Sequence, residues 1–176
     1  MPLLDRDRST LAIIDFQSSI MPVIHECGPM LENARRLVAA AEMLEVPMVT
    51  TEQNPDRLGA TVSEVGRHGT LVAKMSFGSC DAPEFMMAIG DESNILVMGV
   101  EAHVCVQQTV LGLLAKGRSV TVVRDAVGSR RSESKETAIT RMAGHGAEIV
   151  TTEMVIFEWL RTADHPQFRP VSKLIR

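Results

Sequence analysis

The sequence predicts an α/β fold, a Rossmann-like parallel sheet of about six strands in a three-layer α/β/α arrangement. Three observations carry this reading. Short apolar runs recur along the chain, stretches with helical spacing separate them, and turn formers sit at the junctions. Strands that alternate with helices imply crossover connections, which make neighbouring strands parallel and place helices on both faces. No repeat, low-complexity tract or linker interrupts the 176 residues, so the expectation is a single domain over 1–176.

The elements follow in order. "STLAIIDF" (9–16) is a short apolar run ending in an acid, a strand buried on both faces. "GPMLENARRLVAAAEMLEV" (28–46) places Met30, Leu31, Ala34, Leu37, Val38, Ala41 and Leu44 at helical spacing, with Arg and Glu residues on the other side. "VPMVTT" (46–51) is a second strand. "EQNPDRLGATVSEVGRHG" (52–69) is rich in turn formers and reads as a loop with room for one helical turn. "TLVAKM" (70–75) is a third strand. "DAPEFMMAIG" (81–90) has an Asp cap, Pro at the first helical position and Gly at the end. Strand four, about 94–100, leads into a helix that stops at Gly117, and "SVTVVRD" (119–125) is strand five. "SESKETAITRMAGHG" (132–146) is a helix capped by Ser132 or Ser134, "AEIVTT" (147–152) strand six and "EMVIFEWLR" (153–161) a last helix. The tail, "TADHPQFRPVSKLIR", shows no clear period.

Composition excludes several classes of function. Net charge is −4, no Lys/Arg cluster is present, Arg130-Arg131 is too short to count, and there is no Tyr. These features argue against a nucleic-acid partner. No apolar stretch approaches the roughly 20 residues a membrane helix needs. The N-terminus, "MPLLDRDRST", does not read as a signal peptide. Three irregularly spaced cysteines argue against a disulfide framework and for a reducing, cytoplasmic setting.

In an open parallel sheet, ligands bind beyond the carboxyl ends of the strands, where the strand order reverses. The polar residues there are Asp15 and Gln17 after strand one, Thr50, Thr51 and Glu52 after strand two, and Lys74 after strand three. Strand four delivers Glu101, His103 and Cys105, and strand five Arg124-Asp125. No G-x-G-x-x-G and no P-loop follows a strand, and "FQSS" after Asp15 lacks glycine, which argues against a nucleotide cofactor. Asp15, Lys74 and Cys105 form a coherent set. A thiol at a helix start, near a cation, is expected to favour thiolate. A carboxylate can take its proton and return it to a leaving amine, and the helix-start amides can hold an oxyanion. The parts suit acyl transfer from an amide to a thioester, then hydrolysis. Against this stands the common packing role of a buried cysteine.

The segments "LAIIDFQ", "AKMSFG", "GVEAHVCVQQTVLGLLAKG" and "VTVVRDAVGSR" occur in that order. Together they resemble the isochorismatase-like cysteine hydrolases over nearly the whole chain, and "GVEAHVCV" is the most specific piece. The resemblance implies a three-layer α/β/α fold, an Asp15–Lys74–Cys105 catalytic triad and a non-proline cis peptide at Val100–Glu101. It also implies an oxyanion site from the backbone of Glu101, Ala102 and Cys105, and a homo-oligomer. A nucleophilic cysteine distinguishes the chain from true isochorismatases and points to C–N hydrolysis. The segment "TTEQNP" lacks the histidine and aspartate of the nicotinamidase metal site, so neither a metal nor a cofactor is expected. It is similar instead to a branch with TEQ-x-P after strand two and a poorly assigned substrate. Ala102 stands where relatives with "GVETHVCV" carry threonine.

Phe16, Gln17, Phe77 and His103 are the candidate substrate contacts, with core packing, strand capping or support of the turn as their alternatives. Cys80 reads as packing, although it follows Lys74 closely, and His25, Cys27, His68, His145 and His165 show no metal spacing. Eleven methionines suit core gaps or a subunit interface. The expectation is therefore a cofactor-independent cysteine hydrolase of a small amide-like substrate. The alternatives are the same fold with a redox-active or vestigial thiol, or a non-catalytic oligomeric protein.

Overall fold

The computed structural model describes residues 3–91 and 94–175. Its centre is a six-stranded parallel sheet: β1 (Ser9–Ile14), β2 (Met48–Gln53), β3 (Thr70–Lys74), β4 (Asn94–Val100), β5 (Val120–Gly128) and β6 (Glu148–Val150). The spatial order is β3-β2-β1-β4-β5-β6. The order reverses between β1 and β4, so the crevice at that point opens between the carboxyl ends of those two strands.

The helices are α1 (Cys27–Met43), α2 (Pro55–Leu58), α3 (Pro83–Ala88), α4 (Gln107–Ala115), α5 (Ser132–Gly144), α6 (Thr152–Leu160) and α7 (Phe168–Ser172). Two hydrophobic layers hold them to the sheet. Leu11 and Ile13 of β1, with Leu96 and Met98 of β4, pack against α1, α6 and α7. Ala12, Ile14, Ile95 and Val97 point the other way and pack against α3, α4 and α5. Because both faces are covered, every residue of β1 is buried and its Leu11–Ile14 stretch is wholly apolar. The expected three-layer α/β/α fold is thus the observed one.

Three differences from the sequence reading have physical causes. β2 runs to Gln53, so Glu52 and Gln53 belong to the strand rather than to the loop after it. β5 does not stop at Asp125 but continues to Gly128, because its register against β4 shifts between Val97 and Gly99. The extra residues of β5 absorb the polar pair Arg124-Asp125, and Asp125 accepts hydrogen bonds from the backbone and hydroxyl of Thr152. The tail without clear period forms α7 and a short turn, held by the buried Val171 against the α1 layer. In β4, Gly99 has φ 142°, and a Cβ there would lie 2.2 Å from the carbonyl oxygen of Ile14. Only glycine lets β4 approach β1 this closely, just below the residue that follows Ile14.

Candidate active site

The carboxyl ends of β3, β2, β1 and β4 lie side by side and present polar residues. Register pairs Ile14 with Thr51 and Gln53 with Lys74. Asp15, the residue after β1, has φ 53°, a left-handed conformation that Asp tolerates better than most residues. Its carboxylate is fully buried and held at both oxygens. Lys74 Nζ donates to Oδ2 at 2.7 Å, and Thr51 Oγ1 donates to Oδ1 at 2.6 Å. Lys74 also donates to the carbonyls of Phe77 at 2.9 Å and Ser76 at 3.2 Å. An ammonium has three N–H bonds, and these three acceptors use them all.

Cys105 lies on a single π-helical turn, Ala102–Val106, between β4 and α4. The turn follows a cis peptide bond at Val100–Glu101, where the resemblance places one. The Glu101 carbonyl accepts from the amides of Val104 and Val106, and Thr109 Oγ1 donates to the Cys105 carbonyl at 2.7 Å. The thiol is buried, and the negative charge of Asp15 acts on it.

The ionisation of Cys105 corrects one expectation. Burial and then the Asp15 charge push its pKa up to about 12, and the charge of Lys74 only partly opposes them. Burial and Asp15 thus act in favour of the protonated thiol, against the thiolate expected from the helix start. Two geometric facts explain why the helix-start argument fails. The residue is the fourth of a π turn that runs directly into α4, and the Val104 and Val106 amides on either side of it already donate to the Glu101 carbonyl. The nearby cation spends its N–H bonds on other acceptors, so it reaches the sulfur through its charge alone.

The remaining candidates divide. Phe16 is fully buried in the α1 layer of the core. Gln17 spends both amide hydrogens on the carbonyls of Gln53 and Gly59 and accepts from the Gln53 amide, which makes it a latch for the 54–61 segment. Phe77 is half exposed, beside the exposed Met75, and its carbonyl serves Lys74. His103 meets Ser129 Oγ through Nδ1 at 3.0 Å. Cys80 packs on α4, donating to the Thr109 carbonyl, and burial pushes its pKa up to about 11.

Sequence reasoning gave no role to Thr51, to the carboxylate of Glu101, or to Arg130. Arg130 grips Glu101 with Nη2 at 2.6 Å from Oε1 and Nε at 3.0 Å from Oε2, and its own amide donates to Oε2 at 3.0 Å. Burial works to raise the Glu101 pKa, but the Arg130 hydrogen bonds and charge outweigh it and hold the carboxyl below its usual range. The signal for Thr51 lay in "TTEQ". Thr51 clamps Asp15, Glu52 accepts from Thr61 and Arg67, and Gln53 pairs with Gln17. Glu52 oxygens are thus committed to the loop, and no group of three or more potential metal ligands occurs among the described residues.

Two surface cavities lie away from this centre. One of about 240 Å³ sits at the amino ends of β4, β5 and β6, and the other, about 390 Å³, lies between α6 and α7. Neither is lined by Asp15, Lys74 or Cys105. No described helix is long and apolar enough to cross a membrane.

Residues 9–154 match the family described as Isochorismatase domain. The chain is 34% identical over 170 residues to isochorismatase domain-containing protein 2 of Danio rerio, covering 95% of this chain and 86% of that one. Among solved structures it is similar to the MAR1 ribonuclease of Caenorhabditis elegans, with TM-score 0.90 and 34% identity over 98% of this chain and 92% of that chain. It also shares its fold with the YcaC gene product of Escherichia coli, described as an octameric hydrolase of unknown specificity. There the TM-score is 0.86 and the identity 22%, over 98% of this chain and 96% of that chain.

Proposed function

The chain belongs to the isochorismatase domain family, and on that premise we propose that it is a cysteine hydrolase of a small, amide-like substrate, working through a thioester. The observation that supports the reading is the buried Asp15–Lys74 ion pair, both charges of which act on the buried Cys105 thiol. The thiol hands its proton to Asp15 as sulfur attacks the substrate carbonyl. The developing oxyanion is met by the backbone at Glu101, Ala102 and Cys105, the positions the family resemblance implies; the Val104 and Val106 amides are committed to the Glu101 carbonyl. Asp15 then protonates the leaving amine, the C–N bond breaks and a thioester remains. Water attacks the thioester as Asp15 takes its proton, and the returning proton restores the thiol as the acid leaves. Lys74 keeps the Asp15 carboxylate fixed and charge-balanced through this cycle.

A net charge of −4 with no basic cluster does not favour an RNA substrate. A homo-oligomer is the proposed assembly, supported by the octameric fold relative and by the exposed Met75, Phe77 and Met87.

The test is ammonia release from a panel of small amides and ureas. Turnover in the wild type that is lost in Cys105→Ala and in Asp15→Asn supports the reading. Asparagine keeps the size and the left-handed tolerance of the site but leaves the buried Lys74 without its counter-charge, so urea unfolding of Asp15→Asn is measured beside its activity to separate the missing base from a loss of fold. Undiminished turnover by Cys105→Ala would overturn the assignment.

A further inference from the structure

The turn that carries Cys105 is fastened to the end of β5 at two points. Glu101 is one: its carbonyl anchors the turn amides of Val104 and Val106, while its carboxylate is held by the side chain and backbone of Arg130. His103 is the other, through Ser129. The carboxylate of Glu101 is 7% exposed, whereas the Arg130 side chain is 61% exposed. An arginine that remains in solvent therefore closes off a negative charge buried beside the nucleophile. Bidentate guanidinium–carboxylate geometry fixes orientation as well as charge.

We infer that Arg130 is a positioning residue for the reaction, acting through Glu101: it holds and neutralises the buried carboxylate, so that this negative charge is not left to act on the Cys105 thiol. The inference rests on the reading of Cys105 as nucleophile. Four charged or titratable groups besides Arg130 belong to the same balance. Asp15, Lys74 and Glu101 act on the sulfur, and His103 acts on Glu101. Asp15 and Glu101 disfavour the thiolate and Lys74 favours it. Taking away the Arg130 cation leaves the Glu101 charge uncompensated. Taking away the Glu101 charge leaves the Arg130 cation in excess.

The two changes should therefore move the thiol in opposite directions, which a merely structural clasp would not do. A loosened turn would uncover the sulfur in both cases and speed its reaction in both. The readout is the rate of Cys105 alkylation by iodoacetamide between pH 7 and 9 on the full chain, followed by peptide mass, with Cys105→Ala as the blank. Arg130→Met is expected to slow alkylation about tenfold across this range, the effect of a one-unit upward shift. Glu101→Gln keeps an acceptor for Arg130 and is expected to speed it several-fold, and the double variant returns close to wild type. Arg130→Lys, which keeps the charge, is expected to stay close to wild type and serves if Arg130→Met fails to fold. An unchanged rate in Arg130→Met, or a slower rate in Glu101→Gln, would overturn the inference, as would a shift of both single variants in one direction. Alkylation needs no substrate, so this result is separable from the amide-panel test of the hydrolase reading.

Discussion

Lys74 Nζ lies 2.7 Å from Asp15 Oδ2, and neither side chain is reached by solvent. Two charges held out of water are costly to separate, because the survivor keeps its desolvation cost and loses its partner. Lys74→Met is therefore expected to abolish amide turnover and to cost about 3–5 kcal/mol of stability, measured by urea unfolding. A variant as stable as the wild type would mean that the pair adds nothing to the fold. Retained turnover would remove Lys74 from the mechanism.

Thr51 supplies the second tether. Its hydroxyl fixes the other oxygen of Asp15 without touching the thiol-bearing turn. A hydrogen bond to a charged group contributes about 1.5–3 kcal/mol, so Thr51→Val is expected to lower kcat/KM by about ten- to a hundredfold. Thr51→Ser keeps the donor and should recover most of the loss. Equal damage from valine and serine would show that packing, not the hydroxyl, is what matters at this position.

The pH dependence follows from the thiol. In the unfolded chain Cys105 titrates near 9.0, and in the native site burial and Asp15 push it up to about 12. The native state therefore keeps a proton that the unfolded chain releases. That stabilisation is complete below pH 9 and is lost as pH rises through about 12. Stability should fall over that window in the wild type and fall less steeply in Cys105→Ser. Cys80 shifts in the same direction, to about 11, but is more exposed to solvent screening. The comparison is therefore made in a Cys80→Ala background. Identical slopes in the two proteins would refute the raised thiol. The same proton explains why slow alkylation of the resting enzyme does not separate a hydrolase from a vestigial pocket, whereas turnover does.

How much of this was legible in the sequence depended on whether the cause was local. The strands showed through because both sheet faces are covered, which forces runs such as Leu11–Ile14 to be wholly apolar. β5 was cut short at Arg124-Asp125 because the register shift that accommodates those residues depends on Gly99 of another strand. α7 was missed because its helical stretch is too short for a period to emerge. At the site, Asp15, Lys74 and Cys105 could be picked out by strand-end position and by resemblance. Their electrostatics could not, because the orientation of the ammonium is set by the carbonyls of Ser76 and Phe77. The Glu101–Arg130 pair spans 29 residues and joins two strand ends whose adjacency appears only in the folded sheet.

Glu52 shows the same kind of distant cause and yields the last prediction. One oxygen accepts from the amide and hydroxyl of Thr61, both at 2.7 Å, and the two oxygens together engage Arg67. The segment between Asn54 and Gly69 is thereby tied to the end of β2, two residues before the helical turn α2 and next to the clamp on Asp15. Burial works to raise the Glu52 carboxyl, but Arg67 and Thr61 outweigh it and hold it below its usual range. A depressed carboxyl contributes stability above its unfolded value of 4.5, and that contribution is lost as pH falls through the native value. The segment should therefore loosen at acid pH before the sheet does. At neutral pH, Glu52→Ala should mimic that loosening. Losing about 1.4 kcal/mol of local closure raises the open population about tenfold. Trypsin should then cut after Arg57 or Arg67 about ten times faster than in the wild type, while β1 and β4 stay protected from hydrogen exchange. Cleavage at an unchanged rate would mean that the Gln17 latch alone holds the segment. Simultaneous loss of protection in the central strands would mean that Glu52 supports the whole sheet rather than the loop.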